Sequence, residues 1–410
     1  MAHDSNRSET KLASSPLVIA LAGFTALGIA MGIGRFAFTP ILPMMQQEAV
    51  VSVGEGGWLA SANYLGYLLG SLSAVILRVH ATTAVRAGLV VIGLATLGMG
   101  LGQSFAACLV LRALAGIGSA WVLVFGSAWA LEALSAARRP MLRGIVFGGV
   151  GTGIAVAGLF CVALMQRNLG SPMAWQGLGI IALVGSMAIW RAFRSDHDAD
   201  RTQSRRQTGP SYRWDLDSVR LVLCYGIFGF GYIIPATFVP AMARELVKDP
   251  LVFGWSWPVF GVAAALSTLV AAGATSFIGN RRLWALSHLV MALGVSAPVL
   301  WPSIGGIMIA ALLVGGTFMV NTMAGLQETQ IVGGPQATSL MAVMTTAFAT
   351  GQIGGPLLVA YTVGPPGDFS RPLLIACLLL VVSAASLARS RPLRTPLQRQ
   401  ASARAFPTGR

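Results

Sequence analysis

Twelve long apolar runs, broken by short polar segments, account for most of this 410-residue chain. They predict membrane-spanning helices at 16–45, 56–78, 86–103, 107–133, 143–165, 173–193, 218–243, 252–278, 283–301, 304–326, 338–362 and 370–389. At 1.5 Å per residue, ~20 apolar residues cross the hydrocarbon core of a bilayer, and each run meets or approaches that length. Breaks as short as Gly102-Gln103-Ser104 force neighbouring helices to pack antiparallel. The break at 194–217 is longer and rich in Arg, Asp, Ser and Gln, which predicts a flexible linker. The chain therefore divides into a six-span half at 12–193, that linker, a second six-span half at 218–390 and a basic tail at 391–410. The start, MAHDSNRSETK, has no A-x-A-like cleavage site after a short apolar core, so the first run reads as a retained span.

The two halves carry a repeat. Gly32-Ile33-Gly34 with Pro43 and Gly229-Phe230-Gly231 with Pro240 both read G-x-G-x8-P, 197 residues apart. The same offset pairs Gly57-Trp58 with Gly254-Trp255. Glu132 meets Glu328 at an offset of 196, and Thr152-Gly153 meets Thr350-Gly351 at 198. Related halves in one orientation are the plan of a membrane carrier that holds its substrate between them. Pro40, Pro43, Pro235 and Pro240 predict interrupted helices in spans 1 and 7.

Composition fits. The chain is 55% hydrophobic, only 10% charged, and holds 49 glycines, which allow close backbone approach in lipid. A net charge of +14 in a soluble protein would suggest nucleic acid. Here 22 of the 28 basic residues fall in the termini and every second loop, and only four in the intervening loops. That asymmetry predicts both termini in the cytoplasm and removes the case for nucleic acid. The Arg-rich tail serves first as an orientation signal, with contact to anionic headgroups as a second reading. Arginine outnumbers lysine 26 to 2, which points to a GC-rich bacterial gene and so to an inner membrane. Four scattered cysteines lack metal or disulfide spacing, and no catalytic cluster, cofactor motif or P-loop lysine is present.

Span 4 reads Arg112-Ala113-Leu114-Ala115-Gly116-Ile117-Gly118, which resembles the R-x-x-x-G-x-G signature of major facilitator superfamily carriers. Residues 32–45, GIGRFAFTPILPMM, resemble the first span of the bacterial YbfB/YjiJ group of that superfamily. The resemblance implies an all-α integral membrane fold, no enzymatic activity, and a central cavity lined by spans 1, 4, 7 and 10. Departures exist. The loop after span 2 keeps Gly70, Arg78 and Arg86 but lacks the family's Asp. After span 8, Phe277 stands at the Asp position before Arg281-Arg282.

Two arginines lie inside spans. A guanidinium in hydrocarbon turns to water, a partner or a ligand. Arg35 sits ~28 Å into span 1 from its start, and Arg112 a few residues into span 4, so both occupy the outer half. Facing one chamber, two such charges repel, and an anionic substrate relieves that repulsion through the planar donor fork of Arg. Two alternatives stand: Arg35 snorkels to the headgroups, or pairs with Glu55 as a gate strut. Tyr64, Tyr67, Trp129, Tyr232, Asn321 and Gln352 are candidate pocket residues, each with helix packing as its competing role. Tyr232 holds the repeat position of Arg35. Glu132 and Glu328 are candidates for proton coupling or for a cytoplasmic gate made with Arg138, Arg139 or Arg143. Trp255 and Trp257 fit an interfacial belt, and His288 a packing role.

These observations favour a monomeric secondary carrier that uses alternating access and an ion gradient, with the proton as candidate coupling ion, to move a small organic anion. A drug-type exporter of lipophilic or cationic compounds and a non-transporting receptor or scaffold are the rivals.

Overall fold

The computed structural model describes residues 15–48, 50–51, 53–76, 79–102, 104–135, 140–193, 214–246, 250–362 and 369–389. Most of the linker 194–217, the whole of the tail 391–410, and Arg78, Arg138 and Arg139 lie outside them. The described residues form twelve helical rods: α1 (Pro16–Gln47), α2 (Val53–Ile76), α3 (Ala81–Met99), α4 (Phe105–Ser135), α5 (Pro140–Gln166), α6 (Ser171–Ile189), α7 (Leu216–Leu246), α8 (Pro250–Ile278), α9 (Asn280–Leu300), α10 (Ile304–Gly333), α11 (Ala337–Thr362) and α12 (Ser370–Ala388). Eleven stretches are long and apolar enough to cross a membrane. One of them, Ile304–Val359, contains both α10 and α11, joined by a single 3-10 turn at Gly334–Gln336. The chain is an all-α, multi-pass membrane protein. The even number of rods brings the first and last helices' outer ends to the same face of the bundle, here called the terminal end.

The sequence repeat is a structural one. In the first half α1 packs on α5, α2 on α4, and α3 on α4 and α6. In the second, α7 packs on α11, α8 on α10, and α9 on α10 and α12. Glycines set the closest approaches. A Cβ on Gly32 would stand 2.5 Å from Gly153 Cα, so α1 and α5 touch backbone to backbone. Gly351 on α11 meets the Gly226 carbonyl of α7 in the corresponding place.

The halves meet along two seams, α5 against α8 and α2 against α11. They are unlike. The first is closed along its length by Gly144 against Ala272, Gly151 against Gly261 and Gly158 against Pro258. The second is joined towards the terminal end, where Thr346 lies 3.2 Å from the Ser71 hydroxyl and the Tyr67 and Phe348 rings meet at 6.4 Å. Beyond these contacts it splays. At the terminal end the last turns of α4, Ser127–Ser135, approach α10 and α11.

The two proline-bearing helices behave differently. In α1 the backbone loosens as expected. Residues 28–33 form a π turn, Gly34 and Phe36 N–H donate five residues back to Ile29 and Met31, and regular helix resumes at Phe38. Pro40 has no N–H, and the Phe36 carbonyl is taken instead by Thr39 N–H at 3.2 Å. α7, by contrast, runs unbroken through Pro235 and Pro240, which corrects the expectation of an interruption there. α4 has its own π segment at Val122–Gly126, just after the Gly-x-Gly.

Candidate functional site

The loosened turn of α1 leaves carbonyls without helical partners, and side chains from α2 and α4 satisfy them. Ser119, four residues past the Ala115 carbonyl it also approaches, lies 2.7 Å from the Ala30 carbonyl. Asn63 donates from Nδ2 to the Arg112 carbonyl at 2.9 Å and, more weakly, to the Gly34 carbonyl at 3.4 Å. Arg112 Nη1 and Nη2 make long contacts to the carbonyls of Gly34 (3.4 Å) and Arg35 (3.5 Å). Its guanidinium sits 4.7 Å from the Phe38 ring and 5.8 Å from that of Trp175. Arg112 therefore faces the back of the α1 turn, which corrects the picture of two unpaired guanidiniums sharing one chamber.

On the front of the same turn, Arg35 is 3% exposed and enclosed by rings. Its guanidinium carbon is 4.0 Å from the Tyr67 ring centre, 5.5 Å from Tyr64, 5.6 Å from Phe36 and 5.9 Å from Phe348. Aromatic faces stabilise a desolvated cation by up to ~2 kcal/mol each but accept few hydrogen bonds. Nη2 donates to Gln352 Oε1 of α11, while Nε and Nη1 have no partner. Gln352 in turn donates from Nε2 to the Tyr232 oxygen at 2.5 Å. Tyr232 is sandwiched between Phe318 (4.9 Å) and Phe348 (5.5 Å). The repeat-related pair Arg35 and Tyr232 thus converges on one amide.

Arg35, Tyr64, Tyr67, Tyr232 and Gln352 come together, with Arg112 and Asn63 behind them. Trp129, Asn321 and Trp257 lie outside this cluster. Trp129 lies near the terminal end of α4, its ring 4.5 Å from that of Phe193. Asn321 is buried, but its amide donates to Met291 Sδ at 3.7 Å. Trp257 is no belt residue: it is buried, stacked on Phe260 at 5.2 Å and 6.2 Å from Phe36. Trp255 remains half-exposed. His288 accepts from Trp284 Nε1 at 2.9 Å inside the C-terminal half, as a packing role requires. Phe36 and Phe348 complete the cage and were not singled out. Phe348 had one signal, its place one turn before Gln352 on the same helix face.

Glu328 has a partner other than those expected. Arg281 of α9 donates from Nε to Glu328 Oε1 at 2.5 Å and from Nη1 to Asp217 Oδ1 at 2.8 Å, with a further bond from Nη2 to Asp217 Oδ2. This joins the terminal ends of α7, α9 and α10 within one half. Glu132 is exposed at the terminal end of α4.

A family model described as "Uncharacterised MFS-type transporter YbfB" matches residues 27–388. The chain belongs to the major facilitator superfamily. Two relatives agree with that placement. An uncharacterized MFS-type transporter YceJ of Bacillus subtilis is 29% identical over 153 residues, 37% of this chain and 37% of that protein. A chloramphenicol resistance protein of Streptomyces lividans is 24% identical over 372 residues, 86% of this chain and 91% of that protein. Members of this superfamily move small molecules through a bilayer and are not enzymes, so the buried cluster around Arg35 belongs to a transporter.

Proposed function

We propose that this transporter carries a small organic anion by alternating access, with Arg35 as the anchor for the anionic group. The observation behind this reading is a buried guanidinium with two nitrogens, Nε and Nη1, that have no partner. An unsatisfied buried donor costs ~1–3 kcal/mol, and more on a charged group. A carboxylate or phosphate arriving beside Gln352 satisfies both donors and replaces lost hydration. Arg112 and Asn63 act from behind, holding the α1 turn that presents Arg35. Tyr64, Tyr67, Tyr232 and Gln352 shape the site.

The approach of α4 to α10 and α11 at the terminal end and the cross-half bond from Arg35 to Gln352 support an occluded or nearly occluded state within a rocking cycle. Charge placement supports a cytoplasmic terminal end, and the excess of arginine over lysine supports a bacterial inner membrane. A fluorescent protein fused after Arg410 should fluoresce and alkaline phosphatase fused there should be inactive. We assign Asp217, Arg281 and Glu328 to securing the terminal end of the second half, because an acid held by Arg281 is poorly placed to exchange protons.

A second reading is export of lipophilic compounds, favoured by the relative named for chloramphenicol resistance. Thermal unfolding of the purified protein with carboxylates, phosphates, chloramphenicol and lipophilic cations separates the two, since a ligand of the folded state raises its melting temperature. Stabilisation by anions in wild type but not in Arg35→Ala supports the anion carrier. Equal stabilisation of both proteins by neutral or cationic compounds alone supports the exporter.

A further inference from the structure

The splayed part of the α2–α11 seam encloses a cavity of about 590 Å³ between α2, α4 and α11. Its position follows from direction: Trp58 and Leu65 on α2, Val110 on α4 and Leu357 on α11 all belong to the half of the bundle away from the termini. All four are more than half exposed, Trp58 by 68% and Val110 by 58%, on surfaces that a bilayer covers. The volume lies within the ~300–1,000 Å³ of small-molecule pockets. On the opposite seam Gly151, Gly158, Gly261 and Pro258 bring α5 and α8 into close contact.

Two of the polar lining residues reach the Arg35 site. Tyr64 and Gln352 form wall of this cavity and are also the two groups that flank the Arg35 guanidinium, at 5.5 Å from its ring and by direct hydrogen bond. Gln352 thus touches both the cavity and Nη2 of Arg35, whose Nε and Nη1 have no partner. A purely hydrophilic anion gains nothing from an apolar channel open to lipid. A molecule with an apolar body and one acid group matches both ends: its body lies between α2, α4 and α11 and its acid reaches Arg35.

We propose that this gap is a lateral doorway through which an amphipathic carboxylate enters the Arg35 site from the surrounding lipid leaflet. The proposal rests on the anion reading given above and deepens it by naming the substrate class and its route.

The test uses the full chain in lipid nanodiscs, titrated calorimetrically with straight-chain carboxylates from butanoate to decanoate. Wild type is expected to bind about tenfold more tightly for each two methylenes added, until the cavity is full. Ala62→Trp fills the cavity wall. Ser61→Trp, at an exposed lipid-facing position, does so without disturbing helix packing. Both are expected to flatten the dependence on chain length while butanoate affinity stays within about twofold. A chain-length dependence unchanged in both variants, or absent from wild type while butanoate still binds through Arg35, overturns the doorway and leaves the anion site standing. Equal binding of every acid by Arg35→Ala, or no binding of any acid by wild type, overturns the anion site and the doorway with it.

Discussion

Arg35 on α1 and Gln352 on α11 lie 317 residues apart and share a buried hydrogen bond, Nη2 to Oε1, that links the two halves. Rocking of the halves must break it, so a stronger link here should oppose both rocking and ligand entry. Gln352→Glu places a carboxylate against the guanidinium as an internal counter-ion. The expected result is a higher melting temperature without ligand and anion affinity lowered about 10–100-fold, or ~1.4–2.8 kcal/mol. Titration of both proteins with the same carboxylate checks this. Unchanged affinity would remove Arg35 from the binding site.

Arg112 is expected to matter for folding rather than selectivity. Arg112→Leu leaves the Gly34 and Arg35 carbonyls short of donors, at a cost of ~1–3 kcal/mol. Denaturation should register that loss, while the ranking of bound anions stays that of wild type. A change in ranking would place Arg112 at the ligand.

The α5–α8 seam leaves no room for side chains. A Cβ on Gly151 would fall 2.3 Å from the Ala265 nitrogen and 2.5 Å from the Gly261 carbonyl oxygen. Gly151→Leu should separate the helices, lower stability by at least ~1–3 kcal/mol and abolish transport. Gly57→Leu, where a Cβ meets nothing within 4 Å, is the control, expected within ~0.5 kcal/mol of wild type.

Removing Arg281 should cost more than neutralising its partner. Arg281→Ala leaves Glu328, only 4% exposed, without its cation, at a cost of ~3 kcal/mol or more. Glu328→Gln keeps an acceptor for Arg281 Nε and should cost ~1 kcal/mol. Melting temperatures in the order wild type, Glu328→Gln, Arg281→Ala would agree; the reverse order would contradict the clasp.

Asp215 precedes α7 and accepts from the Ser218 hydroxyl (2.5 Å) and N–H (2.8 Å), which hold its carboxyl below the usual range. A depressed pKa stabilises the fold above the unfolded value of ~3.9, and the gain is lost as pH falls through the lower folded value. Asp215→Ala should therefore cost ~0.5–1 kcal/mol at pH 7, in line with an exposed cap, and progressively less as pH falls through the depressed folded value. A gap between the two proteins that persists into acid would mean that the cap charge is irrelevant.

Much of the fold was legible because a bilayer allows few solutions. Apolar runs of spanning length must be helices, and the G-x-G-x8-P repeat required two similar halves. That Arg35 would need partners was legible for the same reason, as a charge in hydrocarbon does not stand alone. Which faces of the helices meet was not. Periodicity does not separate lipid-facing from partner-facing positions when both are apolar, so Trp129 and Trp257 were assigned to surroundings they do not have.

The two halves share their glycine and proline spacing, yet α1 loosens and α7 does not. The sequence alone determined the number of spans, their repeat and the charge in the first of them. Only the tertiary structure decided that α1 could yield, because Asn63 and Arg112 lie across from its turn and take up its released carbonyls. Their counterparts 197 residues on, Phe260 and Ile309, have no side-chain donors to offer. The structure likewise decided that Gln352 would hold Arg35 and Tyr232 together, since a hydrogen bond depends on side chains a few ångströms apart in space, whatever their separation along the chain.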